Sequence, residues 1–331
     1  MTSLGTTTRN PLQRLLDDQG FVVLDGGLAT TLESMGHVLD SELWSAEVLR
    51  TSPDDIRAVH TAFLDAGADC ISTASYQASL PGLARRGIEA DAAAGLLRHS
   101  VELAVQARDA FWAEPENRSG RYRPLVAASA GPYGAFLADG SEYDGRYGVE
   151  RDALAAFHHP RLEVLAGTAA DVLALETIPS LVETEALVQL LAAAPHPGAW
   201  ISFSCGDGAH LWDGTAVEDA VRACVPEAGV VAVGVNCTAP AHVASLVGRV
   251  RRATDLPILA YPNSGEAYDS SARSWVGPPA GQQWLDAVPE WVRAGARLVG
   301  GCCRVGPSTI RDVRRRIEET IDEGKEASNA I

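Results

Sequence analysis

No stretch of this chain approaches the roughly 18 consecutive apolar residues that read as a membrane span. Met1 to Pro11 is polar, without the apolar core of a secretion signal. Membrane and export roles are therefore not expected, and the protein reads as cytoplasmic. Positive charge is also short: 27 Lys and Arg face 43 Asp and Glu, a formal net charge of −16. Nucleic-acid binding depends on neutralising phosphates with Lys and Arg, so this balance argues against it. A small-molecule substrate fits better, and a cationic one would be drawn by the field. The 8 histidines show no metal-binding spacing. His158 and His159 are adjacent, and on a helix their rings would diverge by about 100°. No Pro/Ser-rich linker or shift in composition marks a second domain. Cysteines number only 6, and in a reducing compartment they read as thiols or metal ligands rather than disulfides.

What the chain does have is a large apolar fraction, 46% of 331 residues, enough for a sizeable core. It is arranged as short apolar runs alternating with longer helical stretches. The candidate strands are Phe21–Asp25, Cys70–Ser75, Leu125–Ala130, Asp171–Glu176, Trp200–Cys205, Val230–Cys237, Pro257–Pro262 and Arg297–Cys302. Each is compact and closes on Gly, Ser, Asn or another polar residue, as buried parallel strands do. Between them lie helical stretches at Pro53–Ala66, Ala90–Ala113, Arg151–Ala166, Leu181–Ala193, Ala239–Ala253 and Gly281–Ala294. The first opens with Ser52-Pro53-Asp54-Asp55, a cap, a proline at the first helical position and acids in the first turn.

Eight strands in strict alternation predict an α/β fold in a single domain, a closed (β/α)8 TIM barrel over residues 16–323. An N-terminal extension, residues 1–15, precedes it. A polar tail, residues 324–331, follows the last helix and is expected to fray. An open doubly wound sheet shares this period and is the competing reading. Ala113–Arg123, Tyr133–Gly148 and Gly206–Thr215 read as loops, and Asn263–Pro279 as a long polar and aromatic loop. Loops that follow strands on the C-terminal face of a barrel are where an active site is built.

The strand ends carry the chemistry. They read Leu24-Asp25-Gly26-Gly27, Thr73-Ala74-Ser75-Tyr76, Leu175-Glu176-Thr177, Val235-Asn236-Cys237, Tyr261-Pro262-Asn263 and Gly300-Gly301-Cys302-Cys303. In a barrel these ends share one mouth. Cys237 and Cys302 are 65 residues apart (302 − 237), two ordinary strand–helix units, which puts them on alternate strands facing one layer. Adjacent strand residues face opposite ways, so Cys302 and Cys303 can share a metal only if the strand breaks, and Gly300-Gly301 gives the backbone that freedom. Three cysteines leave one position of a tetrahedral zinc open, the mark of a catalytic rather than a structural site. Three thiolates also make the metal electron-rich, which suits holding a substrate thiol deprotonated and nucleophilic, so the pattern suggests thiol alkylation.

Plainer readings stand beside these. Cys70, Cys224 and Cys205 read as packing, although Cys205 ends a strand and could line the mouth. Cys302-Cys303 could form a vicinal disulfide that acts as a redox switch. Asp25 could equally cap the next helix. Glu176 closes an apolar strand and is costly to bury unpaired; a substrate ammonium would be a suitable partner. Asp213-Gly214 reads as a turn, and Trp44, Trp112 and Trp291 suit either packing or a homo-oligomer interface.

These motifs resemble those of the homocysteine S-methyltransferases over about Leu24 to Arg311, closest to the branch that uses S-methylmethionine or S-adenosylmethionine. The matching segments are Leu24–Thr30, Ser75–Ser79, Glu176–Pro179, Gly234–Cys237, Tyr261–Glu266 and Gly300–Cys303, of which Gly-Val-Asn-Cys followed by Gly-Gly-Cys-Cys is the most specific. The resemblance implies a barrel with zinc on Cys237, Cys302 and Cys303, and homocysteine as acceptor. It implies that Asp25 and Glu176 contact the amino acid end of homocysteine and that Asn236 flanks the metal. Tyr76 and the Tyr261, Asn263 and Glu266 segment would lie near the donor, and Tyr268 and Trp275 would offer aromatic faces to a sulfonium.

The expected reaction is methyl transfer from a sulfonium donor to the zinc-held thiolate of homocysteine, giving methionine. Betaine, or a separate corrinoid protein, is the alternative donor on the same barrel. A zinc hydrolase or lyase lacks a His-rich ligand set here, and a redox or metal-buffering protein leaves the polar strand ends unexplained.

Overall fold

The apolar runs form eight parallel strands in this computed structural model, which describes residues 10–37, 45–224, 228–269, 274–276 and 281–329. They are β1 (Val22–Val23), β2 (Cys70–Ser72), β3 (Leu125–Ala130), β4 (Val172–Ile178), β5 (Ala199–Phe203), β6 (Val230–Asn236), β7 (Ile258–Tyr261) and, after the antiparallel hairpin β8 (Ala267–Asp269) and β9 (Ser274–Val276), β10 (Ala296–Val299). The sheet runs β1-β10-β7-β6-β5-β4-β3-β2, with every pairing parallel. Leu24 bridges Cys70 across the remaining seam, where the Asp69 amide donates to the Val23 carbonyl at 2.7 Å. The sheet therefore closes on itself, and the open-sheet reading fails.

The connecting helices are α1 (Gln13–Gln19), α2 (Leu28–Ser34), α3 (Ser45–Thr51), α4 (Pro53–Asp65), α5 (Leu80–Ala84), α6 (Ala90–Ala113), α7 (Tyr133–Leu137), α8 (Arg151–Ala166), α9 (Leu181–Ala193), α10 (Val217–Ala223), α11 (Pro240–Ala253), α12 (Gly281–Ala294) and α13 (Pro307–Asn329). The long ones match the sequence periodicity. In α4 the buried positions are Ile56, Val59, His60, Phe63 and Leu64, a single stripe at helical spacing. His60 belongs to that stripe without a hydrogen-bond partner, and burial pushes its imidazole down to about 4, so it packs as a neutral ring. The short helices α1, α2, α3, α5, α7 and α10 were not expected; at 5 or 7 residues each they span too few turns to show a period.

Two chain-end expectations change in detail. Leu12, the N-cap of α1, and Leu15 within it are buried against the barrel interior with Val22, Cys70 and Trp200, so residues assigned to an extension help fill the barrel. The last helix continues to Asn329, so residues 324–329 extend it. The seam between β1 and β2 is held by Asp69, which is 1% exposed. Its carboxylate accepts from the Val23 amide at 2.9 Å and the Gln19 side chain at 3.0 Å, and it pairs with Arg314 of α13.

Of the tryptophans, Trp291 is buried and stacks edge-on against Trp284 at 5.2 Å, a packing role. Trp112 is half-buried with Arg118 above it, and Trp44 lies outside the described residues.

Candidate metal centre and active site

At the C-terminal ends of the strands, a cavity of about 140 Å³ opens among residues from most of the barrel. Cys237, Cys302 and Cys303 meet on one wall, their sulfurs all within 4.8 Å of one another. The Cys237 and Cys303 sulfurs are 3.7 Å apart, and those of Cys302 and Cys303 are 4.0 Å apart and unbonded. All six cysteines are free thiols, so the vicinal disulfide is not the state seen here.

Local backbone explains the convergence. β6 stops at Asn236 and Cys237 turns aside at φ +46°, a left-handed conformation that costs energy in a non-glycine residue. β7 lies between β6 and β10 and ties the two together. The Cys237 amide donates to the Tyr261 carbonyl at 3.2 Å, the Cys302 amide to the Pro262 carbonyl at 2.8 Å, and the Ser264 amide to the Cys303 carbonyl at 3.1 Å. β10 ends at Val299, so Cys302 and Cys303 lie in a turn and escape the alternation of a strand. The reason for Gly300-Gly301 differs from the expected one: neither has positive φ, and what they supply is space. A Cβ on Gly301 would lie 2.2 Å from the Val305 side chain, and one on Gly300 2.6 Å from that of Leu24.

Asn236 is fully buried and does not line the cavity; it supports the wall from behind. Its amide reaches the Cys302 sulfur at 3.9 Å and donates to Thr177 Oγ1 at 2.8 Å, while its Oδ1 accepts from the Thr177 amide at 2.7 Å. Thr177 needs that clamp. It sits at φ +65° in a bulge where the pairing of β4 and β5 shifts between Leu175 and Ile178. The bulge ends the regular pairing immediately after Leu175, and Glu176 lines the cavity there.

Asp25 and Glu176 occupy the same cavity. Asp25 does not cap α2, whose N-cap is Gly27; its two oxygens accept from the Ser72 amide at 2.7 Å and the Ser72 hydroxyl at 3.2 Å. Burial pushes its carboxyl up to about 8 against those bonds, and the nearby Glu176 adds to the rise. Glu176 is raised to about 7, again mainly by burial, while hydrogen bonds from Ser129 and from Tyr261 (3.1 Å) hold it down. The Tyr261 hydroxyl also accepts from Trp200 Nε1 at 3.2 Å and meets Ser202, so the floor beneath Glu176 is a continuous buried network.

Tyr76 lines the cavity with its ring against Gly131, where a Cβ would come within 2.7 Å. Asn263 and Glu266 lie outside the lining. Asn263 accepts from the Gly265 amide at 2.9 Å, and Glu266 from Ser264 at 2.7 Å and from Arg304 at 3.1 Å, so both shape the turn that follows β7. Tyr268 and Trp275 are paired residues of the β8–β9 hairpin; 270–273 and 277–280 of the expected loop lie outside the described residues. Cys205 is buried in the core, as its packing reading holds.

Sequence reading missed Glu142 and Tyr143. They sit in a stretch expected to be loop, which folds as α7 and a single 3-10 turn, Ser141–Tyr143. The Tyr143 hydroxyl lies 3.3 Å from the Cys237 sulfur, and its ring meets Trp212 edge-on at 6.2 Å. Asp213 anchors that supporting loop by accepting from the Leu181 amide at 2.9 Å. Burial raises the Glu142 carboxyl to about 7. No spacing in the sequence signals these residues, because a loop carries no period. His158 is buried against Glu183 and His159 is exposed, so they form no chelate, as expected.

The donor set suits a metal ion. Cys237 is held well below the usual thiol range by hydrogen bonds from Cys302, then Cys303, while both of those are pushed well above it, first by Cys237. The cluster's own hydrogen bonds thus sustain one thiolate, and three together require a cation between them.

Comparison with known proteins agrees with this geometry. Residues 22–317 match the family described as homocysteine S-methyltransferase. The chain is 46% identical over 304 residues to a homocysteine S-methyltransferase of Bacillus subtilis, covering 92% of this chain and 96% of that protein. It is 43% identical over 314 residues to a selenocysteine Se-methyltransferase of Brassica oleracea, covering 92% and 90%. The crystal structure of the Escherichia coli homocysteine methyltransferase in its metallated form superposes with a TM-score of 0.84 at 45% identity, over 93% of this chain and 100% of that one. With the fold, the cysteine cluster and these relatives in agreement, the chain belongs to the homocysteine S-methyltransferase family, methyltransferases built on a (β/α)8 barrel.

Proposed function

We propose that the protein transfers a methyl group from a sulfonium donor, S-methylmethionine or S-adenosylmethionine, to the sulfur of homocysteine, giving methionine, and that Cys237, Cys302 and Cys303 hold zinc. The observation that carries this reading is the cysteine cluster on the wall of an acidic cavity. Tetrahedral zinc with Zn–S bonds near 2.3 Å sets sulfurs about 3.8 Å apart, and two of the cysteine pairs are at 3.7 and 4.0 Å. Bound there, zinc would keep the acceptor thiol ionised near neutral pH.

The chain's own residues do the rest. Asp25 and Glu176 hold the ammonium end of homocysteine, each already oriented by its serine or tyrosine partner. Ionising them lets a cation repay the burial that raises both carboxyls. Asn236 keeps the Cys302 sulfur and the Thr177 backbone in place. As the new carbon–sulfur bond forms and the donor's breaks, the donor leaves as a neutral thioether and the thiol proton goes to solvent. The site then contributes mainly by positioning, worth roughly 7–11 kcal/mol for well-aligned pairs. A cytoplasmic setting goes with this reading and is supported by six unpaired thiols; among the described residues, no helix is long and apolar enough to cross a membrane.

The test pairs elemental analysis with methionine formation from homocysteine and each of S-methylmethionine, S-adenosylmethionine and betaine. About one zinc per chain, turnover with a sulfonium donor, and loss of both in Cys237→Ser are expected. Full activity with no bound metal would refute the zinc assignment, and transfer from betaine alone would refute the donor.

A further inference from the structure

Four carboxylates line the cavity; Glu33 is exposed, and the other three, Asp25, Glu142 and Glu176, differ in what already satisfies them. Both oxygens of Asp25 accept from Ser72, and both of Glu176 accept from Ser129 and Tyr261. Glu142 is different: its Oε2 is buried and has no hydrogen-bond partner. Its backbone is fixed by the Ser204 hydroxyl, which donates to the Glu142 carbonyl at 3.2 Å, and by close packing on Gly134.

Glu142 also stands apart from the other two. The charge of Glu176 raises Asp25 and also meets that of Cys237, whereas Glu142 acts on Cys303, Tyr76 and Tyr143 as well as Cys237. The next residue, Tyr143, touches the Cys237 sulfur. A homocysteine held by its ammonium at Asp25 and Glu176, with its sulfur at the cysteines, leaves Glu142 beside the point where the methyl group must arrive. Among the described residues, no Lys, Arg or His lines the cavity to neutralise it.

A sulfonium carries its charge on three carbon-bound sulfur valences and has no N–H to donate. A carboxylate oxygen without a donor is suited to that ion, since it loses no hydrogen bond on meeting it. The rings of Tyr76 and Tyr143 line the same space and attract cations through their faces. Resting on the sulfonium-donor reading above, we infer that Glu142 recognises the positive sulfur of the methyl donor and determines specificity for it. The donor loses its charge as the methyl group leaves, so this contact is stronger with substrate than with the transition state. Its removal should raise KM for the donor and spare kcat.

The test uses S-methylmethionine and its neutral carbon isostere, 2-amino-5-methylhexanoic acid, which carries the same ammonium and carboxylate. Glu142→Gln should weaken S-methylmethionine binding, measured by calorimetry, about tenfold or more, the scale of one charge pair in a protein site. Isostere affinity and KM for homocysteine should stay within about twofold, and Glu142→Asp should fall between wild type and Gln. Equal weakening of both ligands would assign Glu142 to the ammonium and overturn the inference, as would unchanged affinity for both. Wild-type protein that makes no methionine from either S-methylmethionine or S-adenosylmethionine would instead refute the donor reading, and this assignment with it.

Discussion

Replacing Gly134 by alanine tests whether the missed turn belongs to the site, since Gly134 touches no ligand group. It is the second residue of α7, and in a helix alanine is ordinarily favoured over glycine by about 1 kcal/mol. Here the added Cβ would lie 2.4 Å from the Glu142 amide nitrogen, 2.7 Å from the Ser141 carbonyl carbon and 2.8 Å from Glu142 Cα. All three are backbone atoms, so no side chain can rotate away. Restoring ordinary contact near 3.4 Å moves the turn by roughly 1 Å, and a misplacement of that size can cost about a hundredfold in rate. Overpacking costs about 1–3 kcal/mol, offset by the helix gain, so the net loss of stability is about 0–2 kcal/mol. For a chain of this size that is a Tm decrease of no more than about 8 °C. The expected result is kcat/KM down about a hundredfold in steady-state assays, with a modest Tm shift and wild-type metal content. Activity within about threefold of wild type would show that the position of Glu142 and Tyr143 does not matter to the reaction, and the reasoning would fall.

Tyr261→Phe should lower stability by about 1–3 kcal/mol in urea unfolding, because Trp200, Ser202 and Glu176 all lose a buried partner. An unchanged midpoint would count against the network. Asp69→Asn should cost on the order of 3 kcal/mol by the same measurement, since it removes the buried charge that Arg314 meets at the barrel seam and leaves it only the exposed Glu318. Full stability would mean that the seam is held by its backbone bonds alone. With Asp25 raised to about 8 and Glu176 and Glu142 to about 7, the folded protein holds protons that the unfolded chain releases above about pH 4. Stability of the ligand-free protein should therefore fall as pH rises from about 4 to about 8, and Asp25→Asn should flatten that slope in unfolding measured against pH. Homocysteine binding at pH 7 should release protons, detectable by calorimetry in buffers of different ionisation heat; proton uptake would contradict the assigned ammonium contacts.

The sequence alone determined the barrel and its cysteine corner, because both leave local marks. Fully buried strands such as Val172–Ile178 read as continuous apolar runs, and α6, α8, α9 and α12 match their sequence limits because they are long enough to show a period. The three cysteines were legible because two strand–helix units separate Cys237 from Cys302 and nothing in ordinary packing calls for adjacent thiols. Tertiary structure alone decided the rest. Asn236 proved to be a clamp on Thr177 and Cys302, and Gly300-Gly301 proved to be about space; both depend on what the chain meets across the barrel. Glu142 and Tyr143 were invisible for the same reason. Their place against Cys237 is set by packing on Gly134, Ser204 and Trp212, contacts that only folding brings together.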